Sequence, residues 1–259
     1  MSYIIDIVNG MKAINEAYDA DPFLREGQKP ILAVTYCADS RVSIEKIYGV
    51  EPGVIFGNRN VGNSLEEPGN ETELRFGALE HLVYGYHLGI RDFRVQGHEG
   101  CGAMNNAYNC NCGGHDAHGH DHGHADTIES KIIAKMGKNK EFAVKLVSEK
   151  EAPAYLSKLG MPVSGDAKKD HVRAITVAHA FYQRDLAEGI LEQIAADYAK
   201  AYGQQAAAVT VGVDYLDLVS KPAVLYSYSK EDGRFYDASI KGPDRSAPGV
   251  KCGKDCGCN

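Results

Sequence analysis

Residues 30–41 read PILAVTYCADSR, and this stretch decides the fold. Behind Pro30, Ile31 to Tyr36 form a continuous apolar, β-branched run, the pattern of a strand buried on both faces. Polar residues follow at once, and the spacing predicts a helix over residues 40–48, stopped by Gly49. The same grammar recurs downstream. Residues 54–56 read as a second short strand entering residues 57–63, whose Gly and Asn content suits tight backbone with positive φ. Asn70 with Glu73 reads as a helix N-cap pair, and Leu74, Ala78, Leu82 and Val83 continue one apolar face until Gly89. Residues 92–96 (DFRVQ) are a third strand running straight into Gly97-His98-Glu99-Gly100-Cys101-Gly102. Strand and helix in alternation imply right-handed crossovers and a mainly parallel sheet.

The second half is more helical, with candidate helices over residues 128–147 and 171–202. A fourth strand is expected at 207–213, and residues 223–228 and 234–236 read as a closing hairpin across Lys230-Glu231-Asp232-Gly233. At the N-terminus Ile4, Ile7, Val8, Met11 and Ile14 mark a helical stripe. The expected class is therefore α/β: a central, mostly parallel sheet of four to five strands flanked by helices, with an N-terminal helical arm. Residues 1–245 are read as one such domain. It carries a His-rich insertion at 109–126 and is followed by a Cys-rich tail at 246–259; neither can build a packed core.

Composition narrows the function classes. The chain has 259 residues, 44% of them apolar, so a substantial core is available and general disorder is excluded. A formal charge of -7 argues against a nucleic-acid or anionic-membrane surface. No apolar run approaches the roughly 20 residues a membrane span needs. The first 20 residues lack a basic start, an apolar block and a small-residue cleavage site. Seven Cys, an odd and unevenly spread number, fit a reduced compartment, so a cytoplasmic protein is expected. With ten His and no Trp beside those Cys, a metal is the first suspicion.

Cys37, Asp39 and Arg41 fall at the end of the first strand, and His98 and Cys101 at the end of the third. In open α/β sheets that carboxyl edge is where ligands bind. Two Cys and one His make a zinc set with a fourth position left for water, the catalytic rather than the structural pattern. Helix N-termini near the two Cys would favour their thiolates. Zinc, two thiolates and a neutral imidazole sum to zero charge, so the metal is a weaker Lewis acid than one held by three His. Asp39 can help, because an ionised carboxylate only accepts hydrogen bonds and so orients a bound hydroxide. Arg41 can keep Asp39 ionised and aimed through a bidentate pair.

These residues resemble the β-class carbonic anhydrases. Cys37-Ala38-Asp39-Ser40-Arg41 is similar to the family's C-x-D-S-R motif, Arg59-Asn60-Val61-Gly62-Asn63 to its R-N-x-G-N loop, and Gly97-His98-Glu99-Gly100-Cys101-Gly102 to its G-H-x-x-C-G motif. Ala78-Leu79-Glu80 matches the helix between them. The resemblance is close over residues 31–104 and looser over 171–237. It implies a carbonate dehydratase (a lyase) that reversibly hydrates carbon dioxide to bicarbonate and a proton. Cys37, His98 and Cys101 would hold one catalytic zinc, Asp39 and Arg41 would act as the orienting dyad, and zinc hydroxide would be the nucleophile. It also implies a homodimer or homotetramer. In some relatives the aspartate ligates zinc in a state associated with a pocket that uses a Trp; with no Trp here and Val34 three positions before Cys37, the open arrangement is expected near neutral pH.

Other readings stay open at the level of sequence. The same fold and zinc could hydrolyse carbon disulfide or carbonyl sulfide, or the chain could be a zinc buffer or metal-delivery protein without an activity. In the insertion, Cys110, Cys112, His115, His118, His120, His122 and His124 offer more ligands than one zinc can use. With Cys252, Cys256 and Cys258 of the tail they could form an additional metal site, a proton buffer, or a flexible segment that binds metal adventitiously. His81, His87, His171 and His179 lie in helical patterns and are read as structural.

Overall fold

Four parallel strands carry the site, and a computed structural model describes residues 30–50, 52–65, 76–104, 147–203 and 205–238. The strands β1 (Leu32–Cys37), β2 (Ile55–Asn60), β3 (Asp92–His98) and β4 (Thr210–Asp217) lie in the order β2-β1-β3-β4. A hairpin, β5 (Val224–Ser229) and β6 (Arg234–Asp237), continues the sheet antiparallel beyond β4. The sheet therefore has six strands and a parallel core, because the closing hairpin contributes both of its strands. Ala33 and Val34 on β1 are fully buried, as their position at the centre of the sheet requires.

The helices are α1 (Ile44–Tyr48), α2 (Phe76–His87), α3 (Ala152–Lys158) and α4 (Ala167–Tyr202). The 36-residue α4 begins where the Asp166 side chain accepts the amides of Lys168 and Lys169. Residues 170–180 of α4 are buried continuously, because the sheet, α3 and the site loops surround that half. Beyond it burial thins to Gln183, Ala187, Leu191 and Ala195, one stripe at four-residue spacing. One core cluster joins α3 and the first half of α4 to Val95, Val213 and Tyr215 of the sheet. A second joins α2 and the far half of α4 to Ala33 and Phe93. Among the described residues no helix is long and apolar enough to cross a membrane.

Several expected boundaries move. The first helix starts at Ile44 rather than residue 40, because Asp39 closes a turn: its carbonyl accepts Val42 N–H and its carboxylate accepts Arg41 N–H. Cys37 therefore sits at a turn, not at a helix N-terminus. The second strand continues through residues 57–60, expected as loop, since the carboxyl half of β1 needs a ladder partner and finds it there. The capped start of α4 lies four residues before the expected one. Helix α3, with a proline in its first turn, was not foreseen. The N-terminal arm, the Asn70 and Glu73 pair, the helix expected over most of 128–147, the insertion and the tail fall outside the described residues.

Candidate metal centre

Because β1 and β3 are neighbours and parallel, their carboxyl ends meet at one edge of the sheet. Cys37 ends β1 and His98 ends β3; Cys101 follows after a tight turn and opens a helical turn at residues 102–104. The ligand atoms of these three buried side chains lie within 4.8 Å of one another. The two Sγ atoms are 3.8 Å apart. A tetrahedral zinc with Zn–S bonds of about 2.3 Å sets its sulfurs about 3.8 Å apart, so the spacing fits that ion.

His98 fits as well. A carbonyl can only accept, so the 3.1 Å contact from Nδ1 to the Glu99 carbonyl places the ring proton on Nδ1. Nε2 is then a buried lone pair with no hydrogen-bond partner. This is the ring arrangement expected of a metal ligand.

The thiols are unequal. Cys37 is held well below the ordinary thiol range, first by the Cys101 thiol donating to it and then by the amides of Gly62 and Asp39, against the opposing effect of burial. The second proton, on Cys101, is pushed up by that same contact, by burial and by the charge on Cys37, although the amides of Met104 and Ala103 face its sulfur. A cation bound between them would relieve both at once. The helical turn after Cys101 thus supplies amides as foreseen, whereas Cys37 draws its own from loops.

Asp39 and Arg41 stand beside this cluster. Arg41 Nε donates to Asp39 Oδ1 at 2.9 Å and Nη2 to Oδ2 at 2.6 Å. The Arg41 guanidinium holds the Asp39 carboxyl well below the usual carboxylate range. Arg41 Nη2 also donates to the Gly100 carbonyl at 2.8 Å, tying the turn after β1 to the turn after β3. Arg59 on β2 donates to the carbonyl of Asp39 at 3.1 Å.

The loop between β2 and α2 is built to approach closely. Gly62 has φ of 70°, and a Cβ there would press on Met104 at 3.3 Å. The Asn63 amide donates to the Gln96 carbonyl at 2.7 Å, and His179 Nε2 to the Gly62 carbonyl at 3.1 Å. Gln183 Oε1 accepts the Leu65 amide at 2.8 Å. His171 bonds the Val147 carbonyl, and His81 stacks on Phe56, so these histidines are structural as read. A separate cavity of about 250 Å³ over β2 and α2 shares no lining residue with the metal centre.

Three residues at the centre's edge escaped the sequence reading. Arg173 Nε donates to Glu99 Oε2 at 2.8 Å, and the Tyr215 hydroxyl donates to the same oxygen. Burial, and then the Glu99 carboxylate, keep the Tyr215 phenol protonated. No local spacing links them: they lie 74 and 116 positions from Glu99.

Comparison with known proteins meets the same motifs. The carbonic anhydrase family model matches residues 32–161. A carbonic anhydrase of Pseudomonas aeruginosa is 34% identical over 112 residues, 41% of this chain and 50% of that protein. One of Synechocystis is 32% identical over 103 residues, 38% of this chain and 37% of that protein. The matches thus span half or less of those relatives' lengths. Among solved structures, the β-carbonic anhydrase CcaA superposes with a TM-score of 0.59 at 18% identity, covering 92% of both chains. A tetrameric β-carbonic anhydrase of Sordaria macrospora gives 0.52 at 18% identity, covering 91% of this chain and 95% of that one. At such identities the likeness is one of fold.

Proposed function

The chain belongs to the carbonic anhydrase family, with the β-class fold, and on that premise we propose that it catalyses zinc-dependent, reversible hydration of carbon dioxide to bicarbonate and a proton. The observation that carries this reading is the convergence of Cys37, His98 and Cys101 beside the Asp39–Arg41 pair.

Cys37 Sγ, Cys101 Sγ and His98 Nε2 would hold the metal. Zinc, when bound, supplies a Lewis acid that can bring a water's pKa from about 15.7 to about 7. Asp39, ionised and fixed by Arg41, accepts a hydrogen bond from the nucleophile and turns a lone pair toward the carbon. Both Asp39 oxygens face Arg41, which supports the arrangement with Asp39 off the metal. Arg59 steadies the backbone of that turn. Ala103 and Met104 pack against the two Cys and give the site an apolar wall suited to a small, uncharged, linear substrate.

Residues 1–245 are taken as one such domain in a cytoplasmic protein. The ligands of the insertion and tail make an additional metal site the reading to test beside the catalytic one. A homodimer or homotetramer is supported by the tetrameric relative and by Leu79, Val83 and Tyr84, large apolar residues exposed on α2.

Metal content and stopped-flow carbon dioxide hydration of the full-length protein test the proposal. One zinc per chain retained in a 110–124 deletion, with hydration abolished in Cys37→Ala, is expected. Unchanged hydration in Cys37→Ala overturns it. Faster turnover of carbonyl sulfide or carbon disulfide would transfer the same site to those substrates, and metal binding without turnover would make the chain a zinc buffer.

A further inference from the structure

Glu99 lies between two ligands and is not one. Its backbone and side chain point to different tasks. The carbonyl accepts the Nδ1 proton of His98, and the amide donates to the Leu216 carbonyl of β4 at 2.8 Å. The carboxylate turns inward, with only 11% of its side chain exposed, and meets Arg173 of α4, itself 8% exposed. Arg173 is anchored in turn, its Nη1 donating to the Pro162 carbonyl at 2.6 Å. Tyr215 of β4 closes the cluster from the sheet. Gly100 then turns with φ of 61°, and its carbonyl accepts Arg41.

A buried carboxylate gains little net stability from such pairing, because desolvation offsets most of the attraction. What the arrangement supplies is position. Two separate elements, α4 and β4, converge on one side chain, and that residue's carbonyl is the acceptor that selects the His98 tautomer. The same clamped turn carries the carbonyl to which Arg41 is tied.

We propose that Glu99, locked by Arg173 and Tyr215, is a positioning residue that holds His98 with Nδ1 protonated and Nε2 presented to the metal. This rests on Cys37, His98 and Cys101 binding zinc. Outer partners of metal-bound histidines typically change metal affinity by about 10–100-fold. Glu99→Gln can still accept from both Arg173 and Tyr215; Glu99→Ala cannot.

The test uses full-length protein, with zinc affinity from chelator competition and the visible absorption of the cobalt-substituted form. Glu99→Ala is expected to weaken zinc binding about 10–100-fold and to shift the cobalt spectrum, with Glu99→Gln restoring both to within about threefold and near-native form. Wild-type affinity in Glu99→Ala, or equal damage in Glu99→Gln, overturns the proposal. Should Glu99→Ala not fold, nitrogen-15 spectra of zinc-loaded wild type decide: metal on His98 Nε2 with a proton on Nδ1 is expected, and the reverse sinks it. If wild type binds no zinc at all, the metal reading itself fails, which is a different result.

Discussion

Two arginines, the half-buried Arg94 and the buried Arg173, are built alike and sit on opposite faces of the sheet. Arg94 on β3 donates from Nε and Nη2 to Asp92 at 2.8 and 2.9 Å and lies 3.5 Å from Asp214 of β4, whose other oxygen accepts the Tyr48 hydroxyl. Arg173 on α4 meets Glu99, which accepts the Tyr215 hydroxyl. In both, burial alone would lower the arginine's pKa and the neighbouring carboxylates outweigh it. Successive β4 residues face opposite ways, so Asp214 looks toward α1 while Tyr215 looks toward α4. The difference is where each network ends. Arg94 lies four residues, about 13 Å, before His98 on β3, and its network fastens α1 to the sheet. The other network ends on the peptide that His98 touches. Identical chemistry can therefore serve cohesion in one place and ligand geometry in another.

The largest expected effect falls on the remote network. Asp214→Ala removes the acceptor of the buried Tyr48 hydroxyl and one of the two carboxylates beside Arg94, and should cost about 3 kcal/mol in urea unfolding, while chelator competition on the folded protein shows zinc affinity unchanged within about twofold. A parallel loss of affinity would erase the contrast. Asp39→Asn should do the opposite. Arg41 is 51% exposed, so the pair adds at most about 1 kcal/mol to stability, yet hydration should fall roughly 100-fold, about 2.7 kcal/mol. Next, Tyr48→Phe and Tyr215→Phe should each cost about 2 kcal/mol, and only Tyr215→Phe should also speed zinc loss to a chelator. Equal zinc retention would place both networks in the same role.

The smallest effect concerns a buried group with no counter-charge. Burial lowers His81 from 6.5 to about 4, so the unfolded chain takes up a proton that the folded one refuses. Stability is complete above pH 6.5 and drains away as pH falls toward 4, by about 1 kcal/mol at about pH 5.5. His81→Phe, which preserves a ring against Phe56, should flatten melting temperature over that range. An unaltered slope would move the acid sensitivity elsewhere.

The site was legible where chemistry is local and the fold repeats it. Cys37 and Asp39, or His98 and Cys101, sit on short spacings at strand ends, and alternation of strand and helix brings those ends together. Boundaries were less legible because side chains overrule propensity: Asp39 spends its carbonyl and carboxylate on a turn, so α1 cannot begin at residue 40. Helix α3 is seven residues long, too short for periodicity to mark, though the proline in its first turn was a signal. Arg173 and Tyr215 offered no signal at all. Their partner is fixed by which face of α4 and β4 turns toward Glu99, and pattern within either segment cannot reveal that.

Helix α4 has a further consequence. Arg173, Thr176, His179 and Gln183 occupy one side of it, touching in turn Glu99, Gly97, the Gly62 carbonyl and the Leu65 amide. The helix thus works as a ruler, its pitch spacing the loops that follow β2 and β3. One residue inserted between Arg173 and Gln183 would swing whatever lies on one side of it by about 100° and put the loops out of register. The same insertion near Gly203, past the last of these marks, would leave every reading on the scale intact.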